Sequence, residues 1–156
     1  MYKKILVPLD GSKLAECVLP HVETIARGGN TENVTFIRVF EPLSLPVSVG
    51  EGYTLSTDDW PKIEEASKAA AENYLNKLTS KLKYDKVKIQ TEVMVGKPAE
   101  TIADYATSNG VDLIAIATHG RSGVSRWVWG SVADKVLRSS RVPILVVRAP
   151  GSHPGI

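Results

Sequence analysis

A chain of 156 residues, 43% hydrophobic and 23% charged, has the composition of an ordinary globular domain and the length of one domain. Its net charge of +2, with Lys and Arg spread among Asp and Glu, argues against a nucleic-acid partner, and its single cysteine, Cys17, excludes an intramolecular disulfide framework. No stretch reaches the roughly 18 apolar residues of a membrane helix, and the apolar run of MYKKILVPLD stops at Pro8, short of a secretory h-region, so the expectation is a cytoplasmic protein with no membrane partner.

The first apolar run is KKILVPLD (3–10), nearly continuous in Val, Ile and Leu, as in a strand covered on both faces. Leu14, Val18, Val22 and Ile25 then share one face of a helix over 13–27, stopped by Gly28-Gly29. The second run is NVTFIRVFE (33–41). The segment 41–60, EPLSLPVSVGEGYTLSTDDW, is too rich in Pro and Gly for regular structure and reads as a flexible flap. Pro61 opens a long helix over 61–83 whose stripe is Ile63, Ala66, Ala70, Tyr74, Leu78 and Leu82. The third run, KVKIQTEVMVG (86–96), alternates apolar and polar residues and reads as a more exposed edge strand. Pro98 opens a helix carrying Ile102, Ala103 and Ala106, closed near Asn109-Gly110. The fourth run is VDLIAIAT (111–118) and the fifth VPILVVR (142–148), both continuous enough to be covered on two faces. Between them Ser131 begins a helix in the capping pattern Ser131-x-x-Asp134, burying Val132, Val136 and Leu137. One domain is expected over 1–149, with a tail at 150–156.

Strands alternating with helices imply an α/β fold, a parallel sheet with helices on both faces. In such sheets ligands sit at the carboxyl ends of the strands, where strand order reverses. Two strand-end loops are unlike ordinary connections: PLDGS (8–12) and ATHGRSGVSRWVWGS (117–131). If their strands are neighbours, both loops rim one crevice. Gly120, Gly123 and Gly130 permit close backbone approach, Arg121 and Arg126 add positive charge, and Gly130-Ser131 stands at a helix N-terminus, where unpaired N–H groups favour an anion. A phosphate chain suits that mixture, and a Gly-rich surface turn before a capped helix explains it equally well. Neither a G-x-x-x-x-G-K-[ST] loop nor a G-x-G-x-x-G fingerprint is present.

ILVPLDGS, GKPAETI, THGRSG and GSVADKVLRSSRVPILVV, in this order, resemble the universal stress protein family from Lys4 to Arg148, apart from 41–60. The family's nucleotide pattern G-x-x-G, nine residues, G-[ST] is matched by Ala117-x-x-Gly120, Arg121–Trp129 and Gly130-Ser131, with Ala117 in place of the first glycine. That methyl is harmless at negative φ and a steric problem at positive φ. The resemblance implies a five-stranded parallel sheet of order 3-2-1-4-5, Rossmann-like and of the adenine nucleotide alpha hydrolase type, with a nucleotide between strands one and four. It implies Pro8, Leu9 and Asp10 at the adenosine end, Val39 against the adenine edge, and Ala117, Gly120, Arg121, Gly123, Gly130, Ser131 and Val132 around ribose and phosphates. The ligand would be ATP (or AMP or ADP), with Mg2+ as its companion ion, acting as a regulatory ligand in stress response. A homodimer through the strand at 142–148 is also implied, and it would cover an apolar edge.

Other readings remain open at this level. Asp10 would serve as a helix cap, His119 as a turn residue, Cys17 as a small buried hydrophobe, and Trp127 and Trp129 as packing residues. The chain as a whole would be a slow ATPase or nucleotidyl-transfer enzyme, or a dimeric interaction module that holds no nucleotide. No general base or metal-holding acidic pair stands out beyond Asp10, so no catalytic residue is assigned.

Overall fold

The computed structural model describes residues 2–42, 48–49, 53–54, 59–118 and 131–150. In chain order they form β1 (Lys4–Pro8), a 3-10 turn (Ala15–Val18), α1 (Leu19–Gly28), β2 (Asn33–Phe40), β3 (Ser48–Val49) and β4 (Tyr53–Thr54). These are followed by α2 (Trp60–Thr79), β5 (Lys88–Val95), α3 (Pro98–Ser108), β6 (Leu113–Thr118), α4 (Ser131–Ser139) and β7 (Ile144–Arg148). The main sheet is five-stranded and parallel throughout, in the order β5-β2-β1-β6-β7. This is the order 3-2-1-4-5 that the resemblance implies.

Successive residues of a strand face opposite sides of the sheet, and that alternation divides the core in two. Ile5, Val7 and Leu9 join Val34, Phe36, Leu113 and Ala115 under the 3-10 turn, α1 and α2. Leu6, Ile37, Ile114 and Ile116 join Ala99, Ile102, Ala106, Ala133 and Val136 under α3 and α4. Every residue of β6 is buried, as its unbroken apolar run requires. Phe36, Ile5, Leu6, Ile37 and Ile114 are fully enclosed, each contributing about 1.5–3 kcal/mol by burial. The rigid centre of the sheet thus lies directly beneath the carboxyl ends of β1, β2 and β6.

Several expectations need correction. The helix read over 13–27 is divided by Pro20, which has no N–H and whose ring would meet the carbonyl of Glu16 in a continuous α-helix. The chain instead makes the 3-10 turn and restarts as α1 with Pro20 in its first turn, and Leu14 stands 47% exposed. The long helix ends at Thr79, short of residue 83, because the N–H groups of Lys81 and Leu82 bond to the carbonyls of Leu78 and Thr79 in tighter i→i+3 fashion. That winding brings Tyr84 into the core. The buried stripe of α2 runs through Ala71 and Leu75, while Ala66 and Ala70 are exposed and Tyr74 is half-buried. Leu137 is 43% exposed, since α4 lies near the edge of the sheet where, among the described residues, β7 pairs with β6 alone. For the same reason β7 is half-buried over Ile144–Val146, not covered like β1. Within 41–60, Ser48 and Val49 pair antiparallel with Thr54 and Tyr53. The rest of that segment up to 58 lies outside the described residues, apart from Glu41 and Pro42, as does the tail beyond Pro150.

Candidate functional site

Strand order reverses at β1, which pairs with β2 on one side and β6 on the other. The two ladders are unequal. With β2 the pairing runs from Lys4↔Asn33 to Pro8↔Ile37, whereas with β6 it comprises Ile5↔Leu113 and Leu6↔Ile114. Backbone polarity explains the difference. The Leu9 N–H donates to the Ile37 carbonyl at 2.9 Å, so the odd-numbered residues from Ile5 to Leu9 face β2. Lys4 donates its N–H to Asp112 Oδ2 at 2.9 Å and accepts from the Asp112 N–H at 2.9 Å, so even-numbered residues face β6. Pro8 is even-numbered and has no N–H. The donor needed to carry the β1–β6 ladder to its carboxyl end is the one that proline lacks, and the paired register stops short of it.

The chain leaves β1 through buried Leu9 into exposed Asp10. Asp10 Oδ1 accepts from the Ser12 N–H at 2.8 Å, and Ser12 Oγ accepts from the Ala15 N–H at 3.1 Å, capping the 3-10 turn. This bond of Asp10 closes the turn that leads into the 3-10 segment and is not the helix cap of its alternative reading: the first N–H of that segment, from Ala15, goes to Ser12. Gly11, between them, has φ +87°, a conformation natural to glycine.

Pro8, Leu9, Asp10, Val39 and Ala117 all lie at the carboxyl edge of the sheet. Val39 pairs with Met94 and is half-buried on the α3 side. Ala117 pairs with Val147 and is 8% exposed. Among the described residues Lys86 is the non-glycine with positive φ, so the backbone at Ala117 needs no glycine and its methyl is accommodated in a regular strand. Ser131 and Val132 open α4, Ser131 exposed and Val132 half-buried against the α3–α4 core. Asp134, read as the far end of the capping pattern, accepts from Arg138 Nε at 3.0 Å. Gly120, Arg121, Gly123 and Gly130 lie outside the described residues, as do His119, Trp127 and Trp129.

Sequence reasoning missed a cluster beside this lip. Arg38 of β2 places its guanidinium carbon 5.8 Å from the centre of the Tyr74 ring. The Tyr74 hydroxyl donates to Glu16 Oε1 at 3.2 Å, and Glu16 Oε2 pairs with Lys13 Nζ at 3.1 Å. Burial and the Glu16 and Asp10 carboxylates push the Tyr74 hydroxyl well above its usual range, with Arg38 opposing them. The signal was present in NVTFIRVFE, where Arg38 interrupts an apolar strand. Cys17 is half-buried against the core, and burial pushes its thiol up. Among the described residues no helix is long and apolar enough to cross a membrane, and no group of three or more His, Cys, Asp or Glu is gathered to hold a metal.

Comparison with known proteins agrees with this architecture. The model of the "Universal stress protein family" matches residues 1–148. Universal stress protein MJ0531 of Methanocaldococcus jannaschii is 33% identical over 96% of this chain and 84% of its own length. Universal stress protein MJ0577 of the same organism is 30% identical over 97% of this chain and 98% of its own. The solved structure of MJ0577 superposes with a TM-score of 0.79 at 30% identity, covering 97% of this chain and 99% of that one. An Arabidopsis thaliana protein solved with AMP bound shares the fold, with a TM-score of 0.63 at 17% identity over 96% and 93% of the two chains. A family model spanning nearly the whole length, relatives covered almost end to end and a common five-stranded sheet lead to one conclusion: the chain belongs to the universal stress protein family.

Proposed function

We propose that the chain binds an adenine nucleotide, ATP foremost, in the crevice between β1 and β6, and that the nucleotide is a regulatory ligand of a cytoplasmic stress protein. The observation that carries the reading is the end of the β1–β6 ladder before Pro8, at the point where strand order reverses. Pro8, Leu9 and Asp10 would line the adenosine end, and Val39 would meet the base. Ala117, Ser131 and Val132, with Gly120, Arg121, Gly123 and Gly130 of the intervening loop, would surround ribose and phosphates. Ala117 is compatible with this role because its strand conformation leaves the methyl unstrained. The Arabidopsis thaliana relative of the same fold was solved with AMP bound, which supports an adenine ligand. Mg2+ would arrive with the phosphates, as their counter-ion.

A second copy pairing along β7 completes the proposal. That edge strand leaves Ile144, Leu145 and Val146 half-buried, with Leu137 exposed on one layer and Leu14 on the other. Joining two such edges removes an aggregation hazard. Val146→Lys should convert the dimer to a monomer by light scattering, and an unchanged mass would place the interface elsewhere.

Thermal melting of stripped protein with ATP, AMP or GTP tests the ligand. At a Kd near 10 μM, 1 mM ATP adds about 2.7 kcal/mol, a rise of roughly 5–10 °C. A rise with ATP and none with GTP supports an adenine site. No rise with any nucleotide would favour a dimeric module without nucleotide, and rapid turnover of ATP would favour an enzyme.

A further inference from the structure

The brace behind the Asp10 turn has a role that this reading of the site leaves unassigned. An arginine on an interior strand must carry its charge to the rim of the sheet or find partners. Arg38 lies on β2 between β1 and β5, on the Val34–Phe36 face, and it does both. Its head rests over the Tyr74 ring, a cation on an aromatic face. It also occupies the space beside Gly11: a methyl built on Gly11 would stand 3.1 Å from the guanidinium carbon, inside contact distance. Glycine suits position 11 by its φ of +87°, and the guanidinium lies in the space beside it. From the ring, the path continues through the Tyr74 hydroxyl to Glu16, whose side chain is 16% exposed, and from Glu16 to Lys13. The Glu16 end of this segment is thereby tied to α2, and the Gly11 end meets the guanidinium that rests on Tyr74.

We infer that Arg38 is a positioning residue for the nucleotide crevice: its guanidinium fills the space behind Gly11 and braces the Asp10–Gly11–Ser12 turn against Tyr74. The inference rests on the nucleotide-binding reading, and it concerns a residue that touches the turn and not the ligand. Without Arg38 the cation over the Tyr74 ring is gone and the space beside Gly11 empties. The lip then loses its fixed shape, and whatever part of the ligand it receives binds less well.

Calorimetry on the full chain tests this with ATP and with adenosine. Arg38→Met should weaken both ligands alike, by roughly tenfold (about 1.4 kcal/mol), while Arg38→Lys, which keeps the charge over the ring, recovers part of the loss. Loss of ATP affinity with adenosine unchanged would mean that Arg38 contacts phosphate directly, overturning the positioning role. Unchanged affinity for both, in a protein whose parent binds them, overturns the inference and leaves the nucleotide reading intact. If the parent binds neither, that reading fails, and a ligand-free measurement still decides the brace. In urea denaturation a double-mutant cycle of Arg38→Met and Tyr74→Leu should show the two residues coupled, and strict additivity would show that the ring does not hold the guanidinium.

Discussion

Replacing Pro8 by alanine restores the N–H that faces β6. The even-numbered residues of β6 face β7, since the Ile114 N–H donates to Pro143 and the Thr118 carbonyl accepts from Ala149. Ala115 therefore presents its carbonyl toward β1, two residues beyond the register Ile5↔Leu113 within the short ladder. A new bond there is worth ~0.5–1.5 kcal/mol, and the loss of proline's rigidity costs ~0.4–1 kcal/mol. The two nearly cancel, so the melting temperature should move by less than about 4 °C. Affinity should not be spared, because a ligand entering the crevice must now break the added bond. The expected loss is roughly two- to twelvefold in Kd. Calorimetry reads the affinity, and amide hydrogen exchange reads whether the N–H introduced at position 8 is protected in the free protein and exposed in the complex. Undiminished affinity with that new amide protected would refute the reasoning, for the ladder would have closed without closing the site.

Three further outcomes follow from described contacts. The Tyr84 hydroxyl is buried without a hydrogen-bond partner among the described residues, and burial, then the Glu23 carboxylate, push its pKa to about 12. The folded state thus holds the proton more tightly than the unfolded chain, so this stabilisation is complete below pH 10 and is lost as pH rises toward 12, at about 1.4 kcal/mol per pH unit. Tyr84→Phe should gain ~1 kcal/mol at neutral pH by removing the unpaired hydroxyl and flatten this alkaline decline, as read by urea midpoints between roughly pH 8 and 11. Ala117→Gly should leave ATP affinity within about twofold while costing ~0.5–1 kcal/mol of stability, because the strand gains only freedom; a large gain in affinity would show that the methyl obstructs the site. Asp112 Oδ2 accepts the N–H groups of Lys3 at 2.8 Å and Lys4 at 2.9 Å. Asp112→Ala should therefore cost ~1–2 kcal/mol and lower the melting temperature by roughly 3–6 °C, and no change would mean that water replaces the carboxylate without loss.

Local chemistry made the order of elements and the crevice legible. Continuous Val, Ile and Leu runs marked β1 and β6, and the unusual loops after them pointed to the same rim. The misreadings arose where one local rule overrode another. Pro20 cut a good apolar stripe, and i→i+3 bonding ended α2 early so that Tyr84 reached the core. The stripe of α2 also turned toward Ala71 and Leu75, while Tyr74 stays half-buried at the rim, its hydroxyl on Glu16. The Arg38 brace was illegible for a different reason. Gly11, Arg38 and Tyr74 each have ordinary readings alone, and only the parallel register of β1, β2 and the helix above them brings them together.

The central place of β1 also sets a hazard during synthesis. Its partner β2 follows closely in the chain, but the β6 side of β1 is completed by residues far downstream: Asp112 meets Lys4 across 108 positions. At ~5–20 residues per second the ribosome leaves that side of β1 without its neighbour for roughly five to twenty seconds, long enough for foreign strands to compete for it. Lys3 and Lys4 guard one end of the exposed edge with charge, and Pro8 guards the other with a missing donor, as gatekeepers flank an unavoidable apolar strand. The proline that ends the β1–β6 ladder thus also shields the growing chain from pairing with a stranger.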